Sequence, residues 1–288
     1  MTENFGFVNI IKPTGMTSSD VVLCVKRILK EKRVGHLGTL DPAATGVLPI
    51  AVGKATKFFD YFLNKDKIYY AIVRFGIETD TLDSLGKITK EIKQQITSND
   101  LKKVLPEFIG EIDQVPPRYS AVKVNGKKAY ELSRNNVDFE LKSKKIYIFD
   151  IKLIKNISSN LFLFKVHSSA GTYIRKLFLD IAEKAGSCCF VPVIIRTKSG
   201  AFNIDDAVTI DEFEQSKTIV SPTEILKLKQ YEVNDEVAKK VLNGVQIETK
   251  DIAGKFEDNE EIFLTYKNRL IGLYQIKNGK ILRKVFVY

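Results

Sequence analysis

The sequence predicts an α+β protein with a small β-domain at its C-terminal end. Strand-like and helix-like segments follow one another from residue 5 to about residue 228. From residue 229 onward, short alternating runs replace them, and Asn278-Gly279 is the dipeptide favoured in two-residue hairpin turns. A length of 288 residues, 44% of them hydrophobic, suits one or two folded domains. We therefore expect one domain over residues 1–228 and a second over 229–288.

The elements of the first domain follow from hydrophobic periodicity and capping residues. Residues 5–11 predict a buried strand, and the polar run that starts at Thr17 offers N-caps to an amphipathic helix. Lys67–Phe75 predicts a strand, in which Tyr69 and Tyr70 point to opposite faces. Further along, the pattern predicts a helix over 87–109 that is capped near Ser98, a turn at Asn125-Gly126, strands over 145–155 and 161–167, and a helix from about Thr172.

The charge pattern favours a polyanionic partner. The formal net charge is +10, and residues 114–156 contain ten Lys or Arg against four Asp or Glu. Nucleic acid, an acidic membrane or a phosphorylated substrate would each suit such a surface. A lysine-rich face that is merely solvated explains the same charge equally well. Charge alone leaves these alternatives open.

Cysteine and histidine usage argues against a disulfide framework and a metal centre. The chain has three cysteines, two of them adjacent at Cys188 and Cys189, and its only histidines are His36 and His167. No CxxC pair occurs, so a reducing cytoplasm fits best. The N-terminal residues lack the basic and apolar regions of a signal peptide, and no apolar run approaches the roughly 18 to 20 residues that span a bilayer. We expect a cytoplasmic protein without a membrane partner.

The stretch VGHLGTLDPAATG, residues 34–46, is the candidate site because it places one carboxylate in a glycine-dense loop. Pro42 biases Asp41 toward an extended or turn conformation, and glycines permit close backbone approach. Asp-Pro also starts ordinary turns, so Asp41 is either a turn former or a nucleophile. The downstream sequence GVLPIAVGKA does not match a P-loop, because six residues separate its glycines where four are required.

Five segments, in the same order, resemble the motifs of the TruB-type tRNA pseudouridine-55 synthases. The resemblance runs over nearly the whole chain, and it is weaker over the last 60 residues, where a short pattern is similar to the PUA domain of that family. The segments are KPTGMTSS from Lys12, GHLGTLDPAATG from Gly35, KIY and RFGIETDTLDSLG from Lys67, VPPRYSAVKVNGKKAYELSR from Val115, and SAGTYIR from Ser169.

This resemblance implies a pseudouridine synthase fold, with a central mixed, mostly antiparallel sheet flanked by helices and a small C-terminal PUA-like β-barrel that binds RNA. It also implies the reaction: one uridine in the TΨC arm of tRNA, at position 55, is flipped out and isomerised to pseudouridine. The bond from the ribose to N1 breaks, the base turns, and the ribose is joined to C5. There is no net redox change, so no cofactor or metal is implied.

Three residues match the family's catalytic positions. Asp41 matches the essential nucleophile, although the order of chemical steps is not implied. Arg175 matches the arginine that keeps this carboxylate ionised, and Tyr69 matches the tyrosine that stacks on the target base and is suspected of moving the C5 proton. Without the resemblance, Tyr69 would be an ordinary strand aromatic and Arg175 a charge on a helix surface.

Other matches imply contacts with the RNA. His36 matches a histidine near the flipped nucleotide, and Ile194 supplies an apolar wall against the base. Asp83 helps to order the site, and Lys12, in the first motif, is expected at the substrate. The loop glycines are expected to bring the backbone close to the nucleotide. Ile195 stands where the family usually has arginine, so this position offers no charge for an RNA contact. The basic segment is expected to grip RNA phosphates through Arg118, Lys123, Lys127, Lys128 and Arg134.

Two alternatives stay open at this point. A dyskerin-type synthase shares the Thr-Leu-Asp-Pro core but works with a guide RNA, whereas the residues after Asp41 resemble stand-alone bacterial enzymes. A tRNA-folding chaperone would act by binding alone, and this role is compatible with the enzyme because flipping requires the arm to unfold. We expect a monomer that acts on the TΨC arm of tRNA without a guide RNA.

Overall fold

A nine-stranded mixed sheet and a five-stranded sheet carry most of the chain in this computed structural model, which describes residues 5–120, 122–124, 126–135 and 137–288. The strands are β1 (Gly6–Lys12), β2 (Val34–His36), β3 (Thr45–Val52), β4 (Lys67–Phe75), β5 (Ile77–Thr79), β6 (Ile88–Glu91), β7 (Gly110–Gln114), β8 (Lys123–Val124), β9 (Lys127–Lys128), β10 (Lys144–Ser158), β11 (Leu161–Ser168), β12 (Cys189–Ser199), β13 (Phe202–Asn203), β14 (Gln230–Glu232), β15 (Ile247–Glu248), β16 (Glu261–Tyr266), β17 (Arg269–Lys277) and β18 (Lys280–Phe286). The α-helices are α1 (Ser18–Leu29), α2 (Phe59–Leu63), α3 (Ser98–Val104), α4 (Ala129–Arg134), α5 (Ile174–Lys184), α6 (Ile210–Ser216), α7 (Pro222–Leu226) and α8 (Asp235–Leu242). Among the described residues, no helix is long and apolar enough to cross a membrane.

The large sheet has the strand order β1-β3-β12-β4-β11-β10-β7, with β2 paired to β3 and β13 paired to β12. All of these pairings are antiparallel except that of β3 with β12. The mixed, mostly antiparallel sheet is therefore confirmed. Buried and half-buried side chains alternate along β4, so that Tyr69 faces the core and Tyr70 faces away from it.

Helices α1 and α5 pack against this sheet. Thr17 and Asp20 form a capping box at the start of α1, as the polar run predicts. Val21 of α1 and Phe178 of α5 are fully buried in the main core. Burying an apolar side chain of this kind contributes on the order of 1.5–3 kcal/mol. Helix α5 begins at Ile174, two residues after its predicted start.

Strands β1 and β3 are buried on both faces, which explains why their sequences are nearly continuous apolar runs. Val8 and Ile10 of β1 pack in the main core, whereas Phe7 packs in a second core with Phe58. This second core also contains Leu273 and other side chains of the five-stranded sheet. The two sheets therefore pack against each other through this second core.

The five-stranded sheet has the order β14-β16-β17-β18-β15 and contains the predicted hairpins. Strands β17 and β18 are joined at Asn278 and Gly279, whose φ angles of 50° and 72° are both positive, as a type I′ turn requires. Helix α8 packs Val237 against this sheet. At the junction with the large sheet, the Tyr61 hydroxyl donates to Glu261 Oε2 at 2.6 Å, and burial raises the pKa of this phenol well above its usual range.

The helix predicted over 87–109 is wrong in its first half. Residues 88–91 form β6, which pairs with β5, and α3 begins only at Ser98. All four side chains of β6 are exposed, so this stretch lacks the buried face that would stabilise a helix. Thr97 and Asp100 form the capping box that starts α3, and the buried Leu101 anchors it to the core.

Candidate active site

The loop between β2 and β3 holds Asp41 in a turn that is fastened to the start of α1. The Ala44 N–H donates to the Asp41 carbonyl at 3.1 Å, which closes the turn. The Ser18 hydroxyl donates to the Leu40 carbonyl at 3.0 Å and accepts from the Leu40 N–H at 2.9 Å. Asp41 is therefore a turn former, and the same turn holds its carboxylate in a fixed place.

Gly46, the last residue of the glycine-rich stretch, is required by packing within the protein. Its φ is 106°, which favours glycine, and a Cβ at this position would lie 2.3 Å from the carbonyl oxygen of Arg196. Strands β3 and β12 pair in parallel at this point. This glycine therefore lets the loop pack directly against β12.

Arg175 of α5 forms an ion pair with Asp41. Its Nη2 lies 2.7 Å from Asp41 Oδ2, and its Nη1 lies 3.3 Å from Asp83 Oδ2. The guanidinium also donates to the carbonyls of Thr81 and Tyr119. The side chain of Arg175 is 5% exposed and that of Asp41 is 36% exposed. The Asp41 carboxylate thus touches a buried cation on one side and is open on the other.

Asp83 lies behind Arg175. Its Oδ1 accepts from the Thr81 hydroxyl at 2.6 Å and from the Leu85 N–H at 3.0 Å. The residue is 6% exposed and does not line the cavity described below. Asp83 therefore contacts the Arg175 guanidinium, which in turn contacts the Asp41 carboxylate.

Tyr69 reaches the site from β4, and burial raises the pKa of its phenol, while the nearby Arg196 guanidinium opposes this rise. Arg196 is 1% exposed and donates to the carbonyls of Val47 at 2.8 Å, Thr39 at 3.0 Å and Gly38 at 3.2 Å. Sequence reasoning missed Arg196. The available signal was a charged residue directly after the apolar run CFVPVII, which predicts a buried cation if the strand continues.

Two lysines beside the loop are buried and bonded to backbone carbonyls. Lys12 is 0% exposed, and its Nζ donates to the carbonyls of Pro13, Met16 and Pro42. The Lys67 Nζ donates to two carbonyls at 2.7 and 2.5 Å. Burial lowers the pKa of each lysine to about 8. The Lys12 ammonium therefore ties β1 to the Asp41-Pro42 turn, and Lys12 does not line the cavity described below.

Of the two residues expected beside the base, Ile194 lines the cavity described below and His36 does not. Ile194 is 7% exposed and lines the cavity from β12. His36 pairs with Ile50 on β3 and does not line the cavity. Its Nδ1 is buried without a hydrogen-bond partner among the described residues. Burial, followed by the charge of Arg196, lowers the pKa of the His36 imidazole, so the ring is mostly neutral at pH 7.

A cavity of about 490 Å³ opens where the loop, β4 and β12 meet. Its volume is in the range of sites for small ligands. Asp41, Tyr69, Ile194 and Arg196 line it, together with the segment 170–174 that precedes and enters α5. Asp41 is the only carboxylate among the described residues that line this cavity. A ligand in this cavity would therefore meet one carboxylate from the described residues, that of Asp41.

Three of the predicted basic residues are exposed on the β8–β9 hairpin beside the cavity. Lys123 lies on β8, while Lys127 and Lys128 form β9. Val122, which precedes the hairpin, lines the cavity. The predicted turn at Asn125 lies outside the described residues in part, because Asn125 is not among them. The hairpin thus extends the rim of the cavity with three ammonium groups.

Arg118 and Arg134 are also exposed and lie outside the cavity. The Nη2 of Arg118 lies 3.4 Å from Asp138 Oδ1, and its guanidinium lies 4.6 Å from the centre of the Phe139 ring. The Arg134 guanidinium lies 5.6 Å from the centre of the Tyr130 ring. The structure therefore separates the predicted residues into a buried cluster around Asp41 and a basic surface next to it.

Comparisons with known proteins agree with this geometry. A family model described as TruB family pseudouridylate synthase (N terminal domain) matches residues 26–174. The tRNA pseudouridine synthase B of Bacillus subtilis is 41% identical over 271 residues, which cover 89% of this chain and 88% of that protein. The protein of the same description from Caldanaerobacter subterraneus is 40% identical over 265 residues, which cover 90% of this chain and 93% of that one. A chain in the crystal structure of a Cbf5-Nop10-Gar1 complex superimposes with a TM-score of 0.71 at 26% identity, covering 98% of this chain and 84% of its own. The chain therefore belongs to the TruB family of pseudouridylate synthases.

Proposed function

We propose that this protein converts the uridine at position 55 in the TΨC arm of tRNA into pseudouridine. The observation that carries the proposal is the Asp41–Arg175 ion pair, in which a carboxylate 2.7 Å from a buried guanidinium is open to a cavity lined by Tyr69. Relatives that are 40% and 41% identical over most of this chain bear the name tRNA pseudouridine synthase B. The reaction needs no oxidant, reductant or second substrate.

Asp41 acts on the sugar or the base of the flipped uridine as an anion. Arg175 stabilises this anion and fixes its orientation, so that the free oxygen faces the bound nucleoside. The bond from C1′ to N1 breaks, and a bond from C1′ to C5 forms after the base has turned. The C5 proton leaves to water, and N1 gains a proton, so atoms and charges balance.

Tyr69 holds the base. Its buried ring faces the same cavity as Asp41 and offers a flat surface on which uracil can stack. Because burial raises the pKa of the Tyr69 phenol, the hydroxyl is neutral at pH 7 and is a weak base. Stacking is therefore its main role in this proposal, with Ile194 as the apolar wall on β12.

The basic surface and the C-terminal sheet are proposed to hold the rest of the tRNA. We assign residues 1–228 to the catalytic domain and 229–288 to a PUA-like RNA-binding domain. The exposed ammonium groups of the β8–β9 hairpin offset the few kcal/mol that base flipping costs. One chain supplies the whole Asp41 cluster, so we propose a monomer that works on tRNA in the cytoplasm.

The test is to map pseudouridine in a tRNA transcript that has been incubated with the purified protein alone. We expect modification at position 55 without a guide RNA. Asp41→Asn should abolish the product while tRNA binding persists, and Asp60→Asn, which removes an exposed carboxylate of α2, should leave the product yield unchanged. Product formed by Asp41→Asn would refute the nucleophile, and a requirement for guide RNA would favour the dyskerin-type mode.

A further inference from the structure

Lys144, the first residue of β10, is a cation at the mouth of the cavity that none of the roles above uses. It is exposed and lines the cavity. Its ammonium comes so close to Gly171 that a Cβ built on that glycine would lie 2.8 Å from Nζ. The φ of Gly171 is 79°, which favours glycine, so this position leaves space for the lysine side chain to lie across the mouth.

The other cations that line the cavity are already committed to the protein. Lys67 donates to two backbone carbonyls, and Arg196 donates to three. Arg175, behind the wall, is bound to two carboxylates. Within the described part of the chain, the Lys144 ammonium has neither a hydrogen bond nor an ion pair. It is the cation at this cavity that is ready for an external anion.

The segment next to Lys144 is firmly held. Gln114, which pairs with Lys144 in the sheet, is 2% exposed. Its side-chain amide donates to the Tyr173 carbonyl at 3.1 Å and accepts from the Tyr173 N–H at 2.8 Å. The Thr172 hydroxyl donates to the Ser169 carbonyl at 3.0 Å. The wall that Lys144 crosses is therefore fixed before a ligand arrives.

Strand geometry separates Lys144 from its neighbour Lys145. Lys144 shares a face of β10 with Ile146, which is buried in the main core. Lys145 lies on the opposite face, where its Nζ is 2.5 Å from Glu111 Oε1. Two adjacent exposed lysines thus differ in whether they reach the cavity, and this supplies a matched control.

We propose that the Lys144 ammonium binds a phosphate group directly flanking the uridine that enters the cavity. This inference rests on the proposed function. With the base against Tyr69 and the ribose at Asp41, the flanking phosphates stay at the mouth, because burying an ionised phosphate among the apolar walls would be costly. A lysine acts there as a point charge for a phosphate and needs no fixed bidentate geometry. The contact forms only when the base is flipped into the cavity.

The experiment is a thermodynamic cycle between protein and RNA, carried out in the Asp41→Asn background so that no turnover occurs. Three T-arm stem-loops are compared: one with native phosphates, and two with a neutral methylphosphonate on the 5′ or the 3′ side of the target uridine. The sugars preceding both linkages are 2′-deoxy in all three RNAs, which prevents cleavage. Dissociation constants are measured for four proteins in this background: one that retains Lys144, called the Lys144 protein, and the variants Lys144→Ala, Lys144→Arg and Lys145→Ala.

We expect Lys144→Ala to weaken binding of the native RNA roughly tenfold, the effect of losing one charge-assisted hydrogen bond. One of the two methylphosphonates should weaken binding to the Lys144 protein by a similar factor and to Lys144→Ala by less than twofold. Lys144→Arg and Lys145→Ala should retain the coupling. Equal losses in the Lys144 and Lys144→Ala proteins at both linkages would overturn the inference. If the active protein still makes pseudouridine in that case, the proposed function stands, whereas a lack of product would refute that function separately.

Discussion

At the scale of single residues, the buried Arg175 guanidinium compensates the negative charges of two carboxylates, Asp41 and Asp83. The Asp41 side chain is 36% exposed, whereas the Asp83 side chain is only 9% exposed and is therefore nearly buried. A buried charge that loses its partner costs several kcal/mol, whereas a matched pair costs little. The arginine therefore has a structural effect through Asp83 and a chemical effect through Asp41, and the two effects can be separated by mutation.

Arg175→Met should destabilise the protein by about 3–5 kcal/mol, because it leaves Asp83 buried without a cation. It should also abolish pseudouridine formation. The double variant Arg175→Met with Asp83→Asn should regain much of the stability and none of the activity. Urea unfolding and product mapping measure the two effects. An active double variant would contradict the role of Arg175 at Asp41.

The burial of Lys12 predicts a specific pH dependence of stability. The pKa of Lys12 is lowered from 10.5 to about 8 in the folded protein, so between these pH values the unfolded chain keeps a proton that the folded chain has lost. The free energy of unfolding therefore rises with pH in this window. Relative to Lys12→Met, the wild type should gain up to roughly 3 kcal/mol between pH 7 and pH 10.5. Urea unfolding of both proteins measures this, and a difference that does not change with pH would disprove it.

At the scale of elements, the β8–β9 hairpin predicts how binding responds to salt. Lys127 and Lys128 are both exposed on β9. If they contact phosphates, replacing both by alanine should reduce the slope of log Kd against log salt by about 1.5 to 2. The control replaces Lys102 and Lys103, an adjacent exposed pair on α3, and should leave the slope unchanged. An unaltered slope in the hairpin variant would refute the phosphate contacts.

Elements with a clear period were predictable from the sequence, whereas buried charges were not. The strand predicted over Lys67–Phe75 coincides with β4. The polar run from Thr17 contains the residues that cap α1. Arg196 and Lys67 were missed because their partners are backbone carbonyls, which leave no trace in residue identity. The positions of Asp41 and Arg175 relative to each other likewise depend on how the strands are ordered, and only the family resemblance pointed to that pair.

At the scale of the whole molecule, the shared core predicts that both sheets unfold together. Leu273 of β17 packs in the second core with Phe7 and Phe58, whereas Leu264 of β16 packs within the C-terminal sheet and α8. Leu273→Ala and Leu264→Ala should each cost about 2–5 kcal/mol. In calorimetry, both variants should shift one common transition to lower temperature. Two separate transitions, of which only one moves, would show that the sheets unfold independently.

The hydrogen bonds from Arg196 to the loop between β2 and β3 determine when, during synthesis, this loop can reach its final shape. The bonds from Arg196 to Gly38 and Thr39 join positions separated by 158 and 157 residues along the chain. Contacts of such separation cannot form until the whole intervening segment has been synthesised. While the ribosome is still making β12, Asp41 has already been synthesised, but the bonds from Arg196 to the loop that carries it have not formed. A nascent chain that ends before residue 196 therefore carries every residue of the glycine-rich stretch and lacks its working shape.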